Sequence, residues 1–126
     1  MKEVVDTDAA PDAVGAYSQA TRTDELVFTA GQIALTPDGE LLADASVSEQ
    51  TERALDNLLA VLSAAGAAPS GVVKTTVYLA DIDDFEEMNE AYADYFTESP
   101  PARSAVEVGA LPKGAAVEID AVAIIE

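Results

Sequence analysis

Apolar positions along this chain follow two periods. Val47, Thr51, Ala54, Leu55, Leu58, Leu62 and Ala65 recur at intervals of three and four, which predicts a helix with a single apolar face. Ser46-Val47-Ser48-Glu49 before it has the spacing of a capping box, and Gly66 stands where a left-handed residue ends a helix. A second helix is predicted from Asp84, with Glu87 as its capping partner. Its apolar face is Phe85, Met88, Tyr92, Tyr95 and Phe96, and Pro100-Pro101 stops it. Elsewhere the period is two or the run is β-branched. Leu26–Ala30 and Val72–Leu79 read as strands, and Ser104–Val108 and Val117–Ala123 alternate. Thr36-Pro37-Asp38-Gly39 is a turn and Leu111-Pro112-Lys113-Gly114 a loop. Strands, helix, strand, helix, strands imply an α+β domain with both helices on one side of a sheet. The other sheet face is left bare, and oligomerisation is the economical way to cover it.

Composition narrows the function. At 126 residues the chain has room for one domain, taken as residues 1–126. Asp and Glu number 24 against 6 Lys and Arg, a net charge of −18. A folded chain of this mass exposes roughly 6,300 Å², or one net negative charge per ~350 Å². Such a surface repels phosphate backbones and anionic lipid, so neither nucleic acid nor membrane is an expected partner. Self-repulsion of this size is screened at ~1 M salt, where the Debye length is ~3 Å. The acids are spread along the chain and Lys is scarce, which reads as adaptation to a high-salt, halophilic cytoplasm. Cys and His are both absent. That excludes disulfides, thiolate nucleophiles, Cys/His metal sites and a Ser-His-Asp triad. With no apolar run near ~20 residues and no signal-peptide pattern, a cytoplasmic protein is expected.

Few residues remain to carry chemistry. Arg103 lies inside the predicted strand Pro101–Val108, either as a surface counter-ion or as a fork that grips a carboxylate at two points. Glu118 interrupts an apolar run between Val117 and Ile119, so it faces either the bare sheet surface or a pocket. If the two strands paired as a hairpin in odd register, Arg103 and Glu118 would share a face. Tyr17 follows Gly15-Ala16 and either donates its hydroxyl to a ligand or packs. Gly31 in Thr29-Ala30-Gly31-Gln32 allows a close backbone approach. Asn89 is either a helix-surface residue or a polar group aimed at a site. Asp81, Asp83 and Asp84 lack the glycine and terminal Glu of a calcium loop and read as helix N-terminal charges.

Taken in order, these strings resemble the reactive intermediate deaminase, or Rid (YjgF), family. The resemblance runs from Gly15-Ala16-Tyr17-Ser18-Gln19-Ala20 through Thr29-Ala30-Gly31-Gln32-Ile33, Val73–Leu79 and Asn89-Glu90-Ala91-Tyr92. It is most specific at Pro101-Ala102-Arg103-Ser104, with Val106, Gly109, Leu111 and Val117-Glu118-Ile119 after it. The resemblance implies a chorismate-mutase-like fold with a mixed sheet, a homotrimer with clefts between subunits, and no cofactor. It also implies hydrolysis of 2-imino or 2-enamino acids, such as 2-iminobutanoate and 2-iminopropanoate, to 2-oxo acids and ammonia. Residue by residue, it implies that Arg103 binds the substrate carboxylate and that Glu118 positions and activates water. It likewise implies that Tyr17 is the site tyrosine, that Gly31 lines the cleft with Asn89 a polar residue near it, and that the backbone N–H of Ala105 helps hold the carboxylate. Ala105, Ala30 and Ala16 stand where many members have Cys, Ser and Pro, departures that bear on substrate preference and rate.

The residues suit that chemistry on their own. An imine carbon is already electrophilic, so anchoring one carboxylate and placing one water supplies the orientation required, and a carboxylate acting through water supplies the base. Three other readings stand beside it: a non-catalytic trimer that binds 2-oxo acids, an RNA-cleaving or translation-inhibiting protein, and a chaperone acting through its acidic surface.

Overall fold

The structure, a computed structural model, describes residues 1–126. Six strands form one mixed sheet: β1 (Glu3–Val5), β2 (Ala20–Arg22), β3 (Leu26–Thr29), β4 (Val72–Leu79), β5 (Ala102–Glu107) and β6 (Val117–Ile124). Their order is β1-β2-β3-β6-β4-β5, antiparallel throughout except for the parallel pair β4–β5. Helices α1 (Val47–Ala64) and α2 (Phe85–Ala93) lie on one face. The fold is thus the α+β arrangement expected, a mixed sheet with two helices on one side.

The first helix forms where its pattern places it. Ser46 Oγ accepts from Glu49 N at 3.1 Å, satisfying one free first-turn donor. At the other end Ala67 N donates to Leu62 O and Gly66 N to Ser63 O, the two bonds of a Schellman motif. Gly66 sits at φ +90°, a conformation that favours glycine. Leu55, Leu58 and Leu62 are fully buried against Val27, Val77, Val117 and Ile119 of the sheet. Burying each such side chain is worth about 1.5–3 kcal/mol.

Three expectations need correction, and two short strands were not anticipated. The second helix ends at Ala93, short of the prolines; Phe96 lies beyond it yet still packs on Tyr92, ring centroids 4.9 Å apart. Asp84 makes no side-chain cap, and Glu87 caps the other helix, its Oε2 accepting from Ser48 N at 2.9 Å. A carboxylate on α2 thus serves the positive end of α1 and ties the helices together. The short strands β1 and β2 carried no pattern long enough to read. Finally, β5 and β6 do not form a hairpin, because β4 runs between them.

That insertion decides where the polar residues point. Arg103 is level with Thr75 of β4, which is level with Ala121 of β6; all three face the helices. Glu118 is level with Tyr78 and, beyond it, Val106, on the opposite face. That face has no covering layer. It exposes Phe28, Val106 and Ile124 beside Lys74, Thr76, Tyr78 and Asp120.

Candidate active site

Two polar clusters stand on opposite faces of the sheet. The first surrounds Glu118. Pairing of β3 with β6 runs from Leu26↔Ile124 to Phe28↔Val122, then breaks. Ala121 N turns to the Thr29 hydroxyl at 3.0 Å, and pairing resumes only at Gln32↔Ile119. Three residues, Thr29, Ala30 and Gly31, thus stand opposite two, a bulge that lifts the chain over Glu118. Gly31 permits this closeness: a methyl at that position would overlap Glu118 Oε2. The carboxylate is half-buried and has no hydrogen bond or ion pair within the chain. Its pKa is raised above the ordinary carboxylate value, first by burial and then by Asp120 on the same face. Asp120 is itself held by the Tyr78 hydroxyl, which donates to Oδ2 at 3.1 Å.

Glu118 opens into a cavity of about 390 Å³, whose walls include Tyr17, Gly31, Gln32, Pro112 and Lys113. Tyr17 follows Gly15-Ala16 and is 54% exposed, so packing is not its role in the single chain. Gln19, behind it, is buried and fixes the loop by donating to Pro11 O at 2.8 Å and accepting from Thr7 N at 2.7 Å. Lys113 takes a left-handed backbone, φ 57°, and is the cavity's one cation. In the sequence it lies in a loop, and the only signal marking it is its scarcity as one of three lysines.

The second cluster surrounds Arg103 on edge strand β5. Its guanidinium carbon lies 4.7 Å from the Tyr92 ring centroid and 5.3 Å from that of Phe85, within cation–π range. Arg103 Nη1 donates to Asn89 Oδ1 at 2.8 Å. Phe85, Asn89 and Tyr92 are spaced by four and three, one stripe of α2. The Tyr92 hydroxyl shares a 2.7 Å hydrogen bond with buried Thr75, so the ring beneath the guanidinium is pinned. Phe85 and Tyr92 read as core from sequence alone; their register with Asn89 was the missed signal. A second cavity, about 380 Å³ and lined by Asn89, Tyr92, Phe96, Pro100, Pro101 and Arg103, opens beside the guanidinium.

Ala105 lies two residues along the same strand. Val108 N donates back to Leu79 O, and successive residues of a strand bond to alternate sides. The N–H groups of Arg103 and Ala105 therefore point away from β4, off the free sheet edge. The structure brings Tyr17, Gly31 and Glu118 together, and Arg103, Asn89 and Ala105 together. Within one chain it does not bring the two sets to one another. No group of three or more Asp or Glu is placed to hold a metal ion, and no helix is long and apolar enough to cross a membrane.

The chain is a small α+β sheet protein with an unpaired carboxylate in one cleft and a caged guanidinium in another. Residues 7–125 match the family described as Endoribonuclease L-PSP, and the chain belongs to that family. It is 47% identical over 124 residues to the human 2-iminobutanoate/2-iminopropanoate deaminase, covering 98% of this chain and 90% of the human one. It is 48% identical over 122 residues to a RutC family protein of Pyrococcus abyssi, covering 97% and 96% of the two chains. Among solved structures, Escherichia coli TdcF with bound serine superposes with a TM-score of 0.93 at 37% identity, covering 98% and 99%.

Proposed function

We propose that this protein hydrolyses 2-imino and 2-enamino acids to 2-oxo acids and ammonia, without a cofactor, in clefts between the subunits of a cytoplasmic homotrimer. The observation that carries the reading is the Glu118 carboxylate, half-buried over Gly31, unpartnered, and shifted toward protonation by burial and Asp120. A carboxylate in that state takes a proton from water more readily than a solvated one. The names of mammalian relatives at 46–47% identity support the substrate class.

In the mechanism, the Arg103 fork binds the substrate carboxylate bidentately and the outward N–H of Ala105 adds a donor. This fixes the imine carbon opposite Glu118 of the neighbouring subunit. Glu118 accepts a proton from a water as that water adds to the carbon, and Tyr17 closes the cleft and offers its hydroxyl to the substrate. Water addition gives a carbinolamine. Glu118 returns that proton to the carbinolamine nitrogen, the C–N bond breaks to release ammonia, and the hydroxyl gives its own proton to Glu118 as it becomes the carbonyl of the 2-oxo acid.

An assembly of chains explains how two clusters on opposite faces meet. The bare face bearing Phe28, Val106 and Ile124 is the surface such an assembly buries. The reading as a nuclease fits less well, since six cations against 24 acids give no basic path for a phosphate backbone. The test is ammonia release from threonine and a threonine dehydratase, with and without this protein, in molar KCl. Faster imine loss with the protein is expected; an unchanged rate would leave a 2-oxo-acid-binding trimer as the better reading.

A further inference from the structure

The Arg103 guanidinium is held by three side chains, and none of them carries a charge. This stands out against the composition of the chain. With 24 acids and 3 arginines, the only ion pair within 4 Å joins Arg22 to Glu3 at 3.7 Å. Arg103 instead has an amide oxygen at 2.8 Å and two ring faces. The ring nearest to it is locked by the hydroxyl bond from Tyr92 to Thr75. Glu86, Glu87 and Glu90 all lie on the same helix, yet none of them is the residue facing Arg103.

We propose that Asn89, with Phe85 and Tyr92, is a positioning device that orients Arg103 while leaving its charge uncompensated, so that the full guanidinium charge remains for an anionic substrate. Asn89 then acts through Arg103 and not on the substrate. The physical requirement is specific. A carboxylate at position 89 would orient the guanidinium equally well and bind it more tightly, but it would occupy one arm of the fork and neutralise it. An amide accepts one N–H and leaves the rest of the fork facing the adjoining cavity. The rings add attraction without taking any N–H. Preorganising the anchor also removes the cost of ordering a long side chain when substrate binds. The inference rests on Arg103 being the carboxylate anchor, so its test includes a variant that checks that reading separately.

The experiment compares the parent protein with Asn89→Asp, Asn89→Ala and Arg103→Ala in ~1 M KCl, where exposed charges are screened. Binding of 2-oxobutanoate is measured by calorimetry, and stability by thermal unfolding of the same samples. Asn89→Asp is expected to weaken binding by roughly 30-fold while unfolding at the same or a higher temperature, because it gains a charge-assisted pair with Arg103. Asn89→Ala is expected to weaken binding only about three- to tenfold, since the fork loses its alignment but keeps its charge. Affinity and stability thus move in opposite directions in the Asp variant, which a purely structural role for Asn89 would not produce. Equal losses in the Asp and Ala variants, or parent-like binding in the Asp variant, would overturn the proposal. Arg103→Ala should abolish detectable binding. Parent-like binding in Arg103→Ala would instead sink the anchor assignment on which the proposal stands.

Discussion

The two halves of the candidate site are built in opposite ways. Arg103 is gripped, with a pinned aromatic ring on one side, a second ring beyond it and an amide at its edge. Glu118 is left alone, with no hydrogen-bond donor, no cation within ion-pairing distance and a glycine where a side chain would crowd it. A group that anchors a ligand works best when it is already oriented before binding. A group that exchanges protons with water works best when nothing else holds its charged form and its pKa lies nearer the working pH. Each half therefore has the surroundings its proposed role calls for. They also sit on opposite faces of the sheet with β4 between their strands, a strand-axis separation of about 10 Å. No side-chain movement within one chain joins them.

Separating the halves physically should give the largest effect. At −18 per chain a trimer carries three times that charge. At ~10 mM salt the repulsion reaches ~30 Å, and at ~1 M it reaches only ~3 Å. We expect mass by light scattering and deaminase activity to rise together with KCl, with inactive monomer or unfolded chain at low salt. A fully active trimer in ~10 mM salt would show that the acidic surface serves solubility only.

Next in size is the reactive half. Glu118→Gln keeps the shape and removes the base, so kcat should fall by about 10²–10⁴-fold while 2-oxobutanoate still binds. The parent's kcat should decline on the acid side as Glu118 takes up a proton, at a pH above that of an ordinary carboxylate. The raised pKa also fixes a sign for stability. Between the unfolded and folded pKa values the native state holds more protons, so this group's contribution to stability falls as pH rises through that window. Glu118→Gln should therefore be slightly more stable than the parent at pH 7. Loss of binding and turnover together, or a drop in stability, would make Glu118 a structural residue.

The anchoring half should respond less steeply. Arg103→Lys cannot reproduce a planar two-point grip, and losing it should cost about 2–4 kcal/mol of transition-state binding, roughly 30- to 1,000-fold in kcat/KM. Near-parent kcat/KM would remove Arg103 from the site. The smallest effect belongs to Gly31→Ala. Its methyl would overlap the Glu118 side chain from Oε2 back to Cγ, so that side chain must swing aside while the fold should survive. Activity should drop by about tenfold, the scale of a misplaced catalytic group. An unfolded Ala variant would mean that Gly31 serves the bulge and not Glu118.

What the sequence revealed follows from the reach of each signal. The long helix was readable because its cap, its apolar face and its terminal glycine agree over the whole stretch from Ser46 to Gly66. Strands β4 and β6 were readable for the same reason, since eight residues each of steady pattern leave little freedom. The three-residue strands β1 and β2 exist only because neighbours pair with them, and no local pattern marks that. The same limit applied to the site. Arg103, Glu118, Tyr17 and Gly31 could be singled out by residue type and by resemblance. Their division between two faces depended on which strand lies between β5 and β6. Pairing order is a property of the whole sheet, and a parallel β4–β5 neighbour leaves no mark on either strand's own pattern.

If each cleft takes Arg103 from one chain and Glu118 from another, mixing subunits of two inactive variants should restore activity. Arg103→Ala and Glu118→Gln are each expected to be inactive alone. When equal amounts are dissociated, mixed and reassembled, every mixed trimer gains one cleft with both native residues. Random reassortment then restores about a quarter of the parent's clefts, and activity per mole should approach that fraction. Light scattering would confirm that the reassembled protein has the parent's mass. Recovery to about a quarter of parent turnover is the predicted result. A reassembled mixture as inactive as its components would contradict the account, because it would place both residues of each working site in the same chain.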